Sequence, residues 1–212
     1  MSMRRLPVYL LLDCSGSMSG EPIEAVRSGM KALISDLRQD PQAVETAYLS
    51  VITFDSSARQ VVPLTELMAF QEPQIDAGGT TSLGEALGVL EKAVDREVQK
   101  STQTQKGDWK PLIFLMTDGL PTDNWEPAAE RLKKSRPGNI IACAAGPDAD
   151  TTVLKQISEI VVQLNSLQPD ALRAFFRWVS SSIKSTSQSL AQVVADQPIS
   201  LPPAPPQIQI VP

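Results

Sequence analysis

Short apolar runs alternate along the chain with longer segments in which apolar residues recur every three or four positions. The uninterrupted runs at residues 111–117 and 139–145 are typical of strands that are buried on both faces of a parallel sheet. The pattern predicts strands at residues 8–12, 47–54, 58–64, 111–117, 139–145 and 159–164. It predicts helices at residues 21–37, 82–99, 125–134, 150–157 and 170–187.

This alternation predicts an α/β fold with a doubly wound, mostly parallel, six-stranded sheet and helices on both faces, as in Rossmann-like domains. The early hairpin gives one antiparallel edge strand, where Pro63 is tolerated because no ladder N–H is needed. Right-handed crossovers then favour the strand order 3-2-1-4-5-6. Strands 1 and 4 become neighbours where the winding reverses, and ligands of such sheets bind at the carboxyl ends of the strands there.

We assign residues 3–190 to one domain and residues 191–212 to a proline-rich, extended C-terminal tail. Residues 196–212 contain six prolines and no glycine, a composition typical of polyproline II conformation. We favour a disordered tail over a docked one. The apolar residues 208–211 could instead add a strand to a sheet edge.

Composition excludes several classes of function. The net charge of −5 and the absence of a basic block argue against nucleic-acid binding. The chain has no histidine, which removes imidazole-dependent catalysis and most zinc sites. No apolar run approaches the roughly 20 residues of a membrane span, so we expect no membrane insertion. Cys14 and Cys143 fall on strands that are not neighbours, so we expect reduced thiols and a cytoplasmic protein.

Oxygen-bearing side chains follow two of the predicted strands. Asp13, Ser15 and Ser17 come at alternate positions after the first strand, and Asp118 follows the fourth. A glycine turn at residues 76–82 also presents two threonines. Each motif alone would be an ordinary turn or helix cap. Together they form a set of hard oxygen donors that suits a cation such as Mg2+.

This set resembles the metal-ion-dependent adhesion site (MIDAS) of the von Willebrand factor A (VWA) domain family, whose pattern is Asp-x-Ser-x-Ser, a distant Thr and a distant Asp. The metal residues that the resemblance implies are Asp13, Ser15, Ser17, Thr80 and Asp118. It implies that the serines bind the metal directly, that Thr80 does so when the site is occupied, and that the aspartates act mainly through water. Spacing alone leaves Thr81 as an alternative to Thr80.

The resemblance also implies the ligand chemistry. The metal would be Mg2+, with Mn2+ or Ca2+ possible, and an Asp or Glu carboxylate of a partner protein would complete its coordination. We therefore expect a binding module and not an enzyme. The expected partner-binding rim consists of Met18, Ser19, Gly79, Leu120 and Asp123.

Three longer segments sharpen the resemblance: MRRLPVYLLLDCSGSMSG, TDGLPTDNW and FFRWVSSSIKSTSQS. They are similar to the tellurite-resistance-associated TerY-like family of bacterial VWA proteins. That similarity implies a cytoplasmic adaptor in a chemical-stress or phosphorylation-linked system. A protein kinase or a PP2C-type phosphatase would be a candidate partner.

Two other interpretations stay open. The first is a different doubly wound domain that has an Asp after its first strand, above all an enzyme. A Mg2+-dependent phosphohydrolase of the haloacid-dehalogenase type places an Asp there, but it uses Asp-x-Asp where this chain has Ser15. A response-regulator receiver needs paired acids at the first strand, and Leu12-Asp13 lacks the pair. The second interpretation is a structural module that binds partners through its tail or through the helix at residues 170–187.

Overall fold

The computed structural model describes residues 4–147, 149–192 and 201–211. Its strands are β1 (Leu6–Asp13), β2 (Ala47–Phe54), β3 (Ala58–Glu66), β4 (Leu112–Thr117), β5 (Asn139–Ala145), β6 (Ile160–Leu164) and β7 (Ile208–Val211). Its α-helices are α1 (Glu21–Leu37), α2 (Pro41–Thr46), α3 (Leu83–Glu97), α4 (Glu126–Ser135), α5 (Thr151–Lys155) and α6 (Pro169–Gln192). A 3-10 turn spans Gly16–Met18. The predicted strands and helices are all present, and the structure adds α2 and β7.

The described strands form one sheet in the order β3-β2-β1-β4-β5-β6-β7. The predicted α/β class and the order 3-2-1-4-5-6 are confirmed for the first six strands. β1 pairs in parallel with both β2 and β4, and the edge strand β3 runs antiparallel to β2. The prediction of six strands is wrong, because β7 adds a seventh strand beside β6 in antiparallel orientation.

The seventh strand comes from the segment that we expected to be a disordered tail. Ile208 pairs with Leu164 and is buried, and the indole N–H of Trp178 on α6 donates to the carbonyl of Pro202 at 3.0 Å. The expectation of disorder is therefore wrong for residues 201–211. Proline has no N–H to donate to a strand ladder. Residues 208–211 contain no proline, so they can pair with the backbone groups at the open edge of β6. Residues 193–200 and 212 of the predicted tail lie outside the described residues.

Alternation along the strands divides the core into two layers. In β1, Leu10 and Leu12 pack with the apolar faces of α1 and α6, whereas Tyr9 and Leu11 pack with those of α3, α4 and α5. Both faces of the sheet are thus covered, as an apolar parallel sheet requires. Gly29 permits the close packing of α1 on α6, since a Cβ there would lie 2.4 Å from the ring of Phe176.

Three smaller features complete the fold. Both cysteines are buried and free, and β4 separates their strands, in agreement with the expected thiols. The additional helix α2 begins after Asp40, whose carboxylate accepts from the N–H of Ala43 at 2.8 Å. Among the described residues, no helix combines the length and apolarity needed to cross a membrane.

Candidate metal centre

The carboxyl ends of β1 and β4 bring together two parts of the predicted site that are about 100 positions apart in the chain. Asp13 is the last residue of β1, and Asp118 directly follows β4. Leu12 and Met116 are register partners, so the two strands end side by side. The site therefore lies at the switch point of the sheet, as the topology predicted.

Hydrogen bonds join four of the five predicted metal residues into one series, here called the oxygen chain, whose first link passes through the backbone N–H of Ser15. The Oδ1 atom of Asp13 accepts from the backbone N–H of Ser15 at 2.8 Å. The Oγ atoms of Ser15 and Ser17 lie 3.1 Å apart. Ser17 in turn donates to Oδ1 of Asp118 at 2.9 Å. The hydroxyl of Ser17 thus contacts both the Ser15 hydroxyl and the Asp118 carboxylate, and the Ser15 backbone ties Asp13 to the same set.

Thr117 is a further site residue that sequence reasoning missed. Its hydroxyl donates to Oδ2 of Asp13, and both residues are buried. Asp13 therefore has one carboxylate oxygen held by the loop after β1 and the other held by β4. The parallel register could have revealed this contact, since Leu12↔Met116 places Asp13 opposite Thr117.

The glycine loop at residues 76–82 reaches the same edge of the sheet, and its two threonines have different surroundings. The N–H of Gly16 donates to the carbonyl of Gly79 at 3.1 Å, which joins this loop to the first one. Thr80 is exposed, and its hydroxyl lies 3.3 Å from that of Ser56. Thr81 is buried, and its N–H donates to the hydroxyl of Thr122 in the loop after β4, whose own N–H donates to the carbonyl of Thr81.

A hydroxyl contact therefore does not connect Thr80 to the other four residues in this conformation. The hydroxyl of Thr81 lies on the β4 side, 3.6 Å from the position that a Cβ on Gly119 would take. Both threonines lie at the edge of the site. The structure therefore does not choose between Thr80 and Thr81 as the metal ligand.

The expected rim residues divide into exposed and structural ones. Ser19, Gly79 and Leu120 are exposed, and Leu120 is 60% accessible. Met18 is completely buried, so its assignment to the rim is wrong. The 3-10 turn directs its apolar side chain into the core between the sheet and α1. The Asp123 carboxylate accepts from the N–H groups of the first turn of α3, which ties the loop after β4 to that helix.

The electrostatics of the site favour a bound cation. Burial, opposed by hydrogen bonds from Ser15 and Thr117 and assisted by the charge of Asp118, raises the pKa of Asp13. Burial also raises the pKa of Asp118, although the bond from Ser17 opposes it. Both shifts mean that two neighbouring carboxylates carry unfavourable negative charge, which a cation would offset. The described residues contain no group of three His, Cys, Asp or Glu side chains placed for a metal, and the candidate donors beside the two carboxylates are hydroxyls. Such a set fits a hard divalent ion.

Comparisons with known proteins bear on the family and the fold of the chain. The model of the von Willebrand factor type A domain family matches residues 8–177. The uncharacterized protein sll0103 of Synechocystis sp. is 36% identical over 125 residues, which covers 55% of this chain and 26% of that protein. The chain spans between 12% and 26% of the length of the curated relatives that it matches.

Solved structures show the same fold at low sequence identity. The von Willebrand factor type A protein of Catenulispora acidiphila is 21% identical with a TM-score of 0.66, covering 86% of this chain and 43% of that one. Proximal thread matrix protein 1 of the mussel byssus, in a structure with a zinc-occupied MIDAS motif, is 20% identical with a TM-score of 0.60. That match covers 84% of this chain and 48% of the mussel protein.

Proposed function

Because the chain belongs to the von Willebrand factor type A domain family, we propose that it is a metal-dependent protein-binding adaptor. The observation that carries the proposal is the series of hydrogen bonds that runs from Asp13 through Ser15 and Ser17 to Asp118. It joins two loops at the point of an α/β sheet where ligands bind.

Each oxygen-bearing side chain of the site has a proposed role towards the metal. Ser15 and Ser17 offer neutral hydroxyls as direct ligands, while Asp13 and Asp118 supply charge and accept hydrogen bonds from bound water. Thr80 would join the ligand set by turning from Ser56, and Thr81 is the alternative donor of the same loop. Asp13 is held at both carboxylate oxygens, so its position is determined before any ion binds.

Mg2+ suits this set because it prefers oxygen ligands and retains water, and Mn2+ or Ca2+ would use the same donors. Two hydroxyls neutralise none of the charge of a divalent ion, so the bound metal would act as a Lewis acid for an outside anion. A partner's Asp or Glu carboxylate is the ligand of choice. Ser19, Gly79 and Leu120 are exposed beside the site and would contact the same partner.

The similarity of the two site loops and of α6 to TerY-like proteins supports a narrower proposal. We place the protein in the cytoplasm of a bacterium, as an adaptor in a chemical-stress or tellurite-resistance system. Its partner would be a kinase or a PP2C-type phosphatase that offers a carboxylate to the metal. Ser15 supports a binding role over a catalytic one, because a phosphohydrolase of the haloacid-dehalogenase type needs a carboxylate at that position.

Titration calorimetry and affinity capture test the proposal. We expect the tagged protein to bind Mg2+ and to retain one specific protein from native lysate with Mg2+ but not with EDTA. Asp118→Ala should lose both properties, whereas Ser19→Ala, in the same loop but outside the oxygen chain, should keep metal binding. The carboxyl ends of β1 and β4 with Asp13, Ser15, Ser17 and Asp118 are called the metal edge below. Retention of the same proteins with Mg2+, with EDTA and by Asp118→Ala would exclude the metal edge as the recognition site. Turnover of a generic phosphate ester that Asp13→Asn abolishes would favour the enzyme instead.

A further inference from the structure

A basic groove lies at the end of the sheet opposite the metal edge. It has a volume of about 510 Å³ and is lined by Lys110, Lys133, Arg136 and Lys155, with Glu159 as the acidic residue of its lining. The groove therefore carries a net charge of about +3 on a chain whose net charge is −5. These cations come from the segment before β4, from the end of α4 and from α5, so the fold gathers them from separate parts of the chain.

The cations of the groove are displayed to solvent. Lys110, Lys133 and Arg136 are exposed, and none of the three takes part in an ion pair with another described residue. Clustered like charges repel one another, so the cluster costs stability unless an anion neutralises it. A ligand whose charge complements these cations would therefore be an anion.

The backbone at Arg136 is also unusual. This residue ends α4 with a φ of 44°, and it is the one non-glycine residue with positive φ among those described. Glycine is the ordinary residue at such a helix end, because a Cβ is strained there. Arginine at this position keeps a charge at the groove at the expense of backbone strain, and residues held in strained conformations concentrate at functional sites.

The floor of the groove is apolar. Leu132 and Ile157 are buried beneath it, and Ile140 and Ile160 are half-buried in its wall. The hydroxyl of Ser158 accepts from the N–H of Ile160 at 3.1 Å and lies 2.5 Å from the carbonyl of Ile140 and 2.8 Å from that of Ile160, which ties the start of β6 to β5. The groove therefore offers apolar side chains between its cations.

We propose that this groove binds an acidic segment of a partner protein in which an apolar residue lies between carboxylates. The apolar floor offers nothing to a small inorganic anion. The described lining contains no aromatic side chain on which a nucleic-acid base could stack, and four cations are few for a phosphate backbone. Because the groove and the metal edge lie at opposite ends of the sheet, the domain can hold two acidic partners at once.

Fluorescence anisotropy in EDTA tests the groove without the metal edge. The probe is a short labelled peptide of repeated Glu-Glu-Leu, compared with repeated Glu-Glu-Ser. We expect the Leu peptide to bind more tightly, and we expect Lys133→Gln with Arg136→Gln to weaken it about tenfold at low salt. The matched control is Lys31→Gln with Arg173→Gln, an equal charge change at exposed positions of α1 and α6 on the other face of the sheet.

Several outcomes would overturn the proposal. No binding of the Leu peptide, or equal weakening by both charge pairs, would remove the groove as its site. Equal binding of the Ser peptide would mean that the apolar floor is not used. Displacement of the peptide by inorganic phosphate at millimolar concentration would indicate a small-anion site, and tighter binding of a single-stranded oligonucleotide would indicate a nucleic-acid surface. Arg136→Gly removes the charge while relieving the backbone, so weaker binding by a variant with a raised melting temperature cannot result from unfolding.

Discussion

Removal of the Ser17 hydroxyl separates the stability of the fold from metal binding. The side chain is exposed, and its described bonds are those to Ser15 and Asp118 at 3.1 and 2.9 Å. Ser17→Ala removes both bonds, and exposed bonds of this kind are worth about 0.5–1 kcal/mol each, so roughly 1–2 kcal/mol is lost in the metal-free protein. At about 2–4 °C per kcal/mol, Ser17→Ala should unfold in EDTA roughly 2–8 °C below wild type.

The stabilisation that we expect from a bound metal is larger than the loss from these hydrogen bonds. A ligand that binds only the folded state, at a concentration a hundred times its dissociation constant, stabilises that state by about 2.7 kcal/mol. For a domain of this size, about 2–4 °C per kcal/mol converts this to a rise in melting temperature of roughly 5–11 °C. Ser17 is a proposed direct ligand, so Ser17→Ala should lose most of that rise at the same metal concentration.

Thermal unfolding monitored by circular dichroism, with EDTA and then with increasing Mg2+, measures both quantities. Ser19→Ala is the matched control, since Ser19 is exposed in the same loop and lies outside the oxygen chain. A Ser17→Ala protein with the full wild-type response to Mg2+ would refute the assignment of the site. An equal loss in Ser17→Ala and Ser19→Ala would show that the loop, and not the hydroxyl, determines the response.

Three further predictions concern the remainder of the fold. Arg136→Gly relieves the positive φ at the end of α4 and should raise the free energy of unfolding in urea by about 0.5–1 kcal/mol. Trp178→Phe removes the hydrogen bond to the Pro202 carbonyl, worth about 1 kcal/mol, and should accelerate hydrogen exchange in β7 more than in β2. Burial raises the pKa of Asp36, but bonds from Lys184 and Ser180 outweigh it, so its pKa is lowered. The stability that wild type has over Asp36→Asn should be present at neutral pH and disappear as pH falls below about 4.

Each of these predictions has a contradicting result. An Arg136→Gly protein less stable than wild type would mean that the side chain stabilises α4 by more than the strain costs. Unchanged exchange in β7 after Trp178→Phe would show that β6 alone holds the strand. A stability difference between wild type and Asp36→Asn that persists unchanged at pH 3 would show that the Asp36 charge does not contribute to it.

The two edges of the sheet show how far local pattern can predict topology. The β2–β3 hairpin was predictable because its strands are separated by a short turn, and Pro63 on β3 indicates an edge. At the other edge the sequence offered a strand at residues 208–211 only as the less favoured alternative, because β7 lies far along the chain from β6 and its four residues form no long periodic pattern. Its pairing depends on a vacant edge that exists only after the first six strands have assembled.

The proposed metal site also has parts that the sequence predicted and parts that it did not. Asp13, Ser15 and Ser17 lie within five residues after an apolar strand, so their proximity follows from local sequence. The parallel order of β1 and β4 then places Asp118 near them. The bond from Thr117 to Asp13 and the separate partners of Thr80 and Thr81 depend on strand register and loop conformation. Burial of Met18 follows from the turn that carries it, which the polar sequence around it does not reveal.

The sequence by itself determined the class of the fold, the order of the first six strands and the four oxygen-bearing side chains that meet at the ends of β1 and β4, because hydrophobic periodicity and strand-end motifs are local properties. Tertiary structure alone decided the docking of β7, the gathering of Lys110, Arg136 and Lys155 into one groove, and the orientation of each threonine. These features are contacts between segments distant in the chain. Their free energy depends on which edges and surfaces remain available once the core has packed.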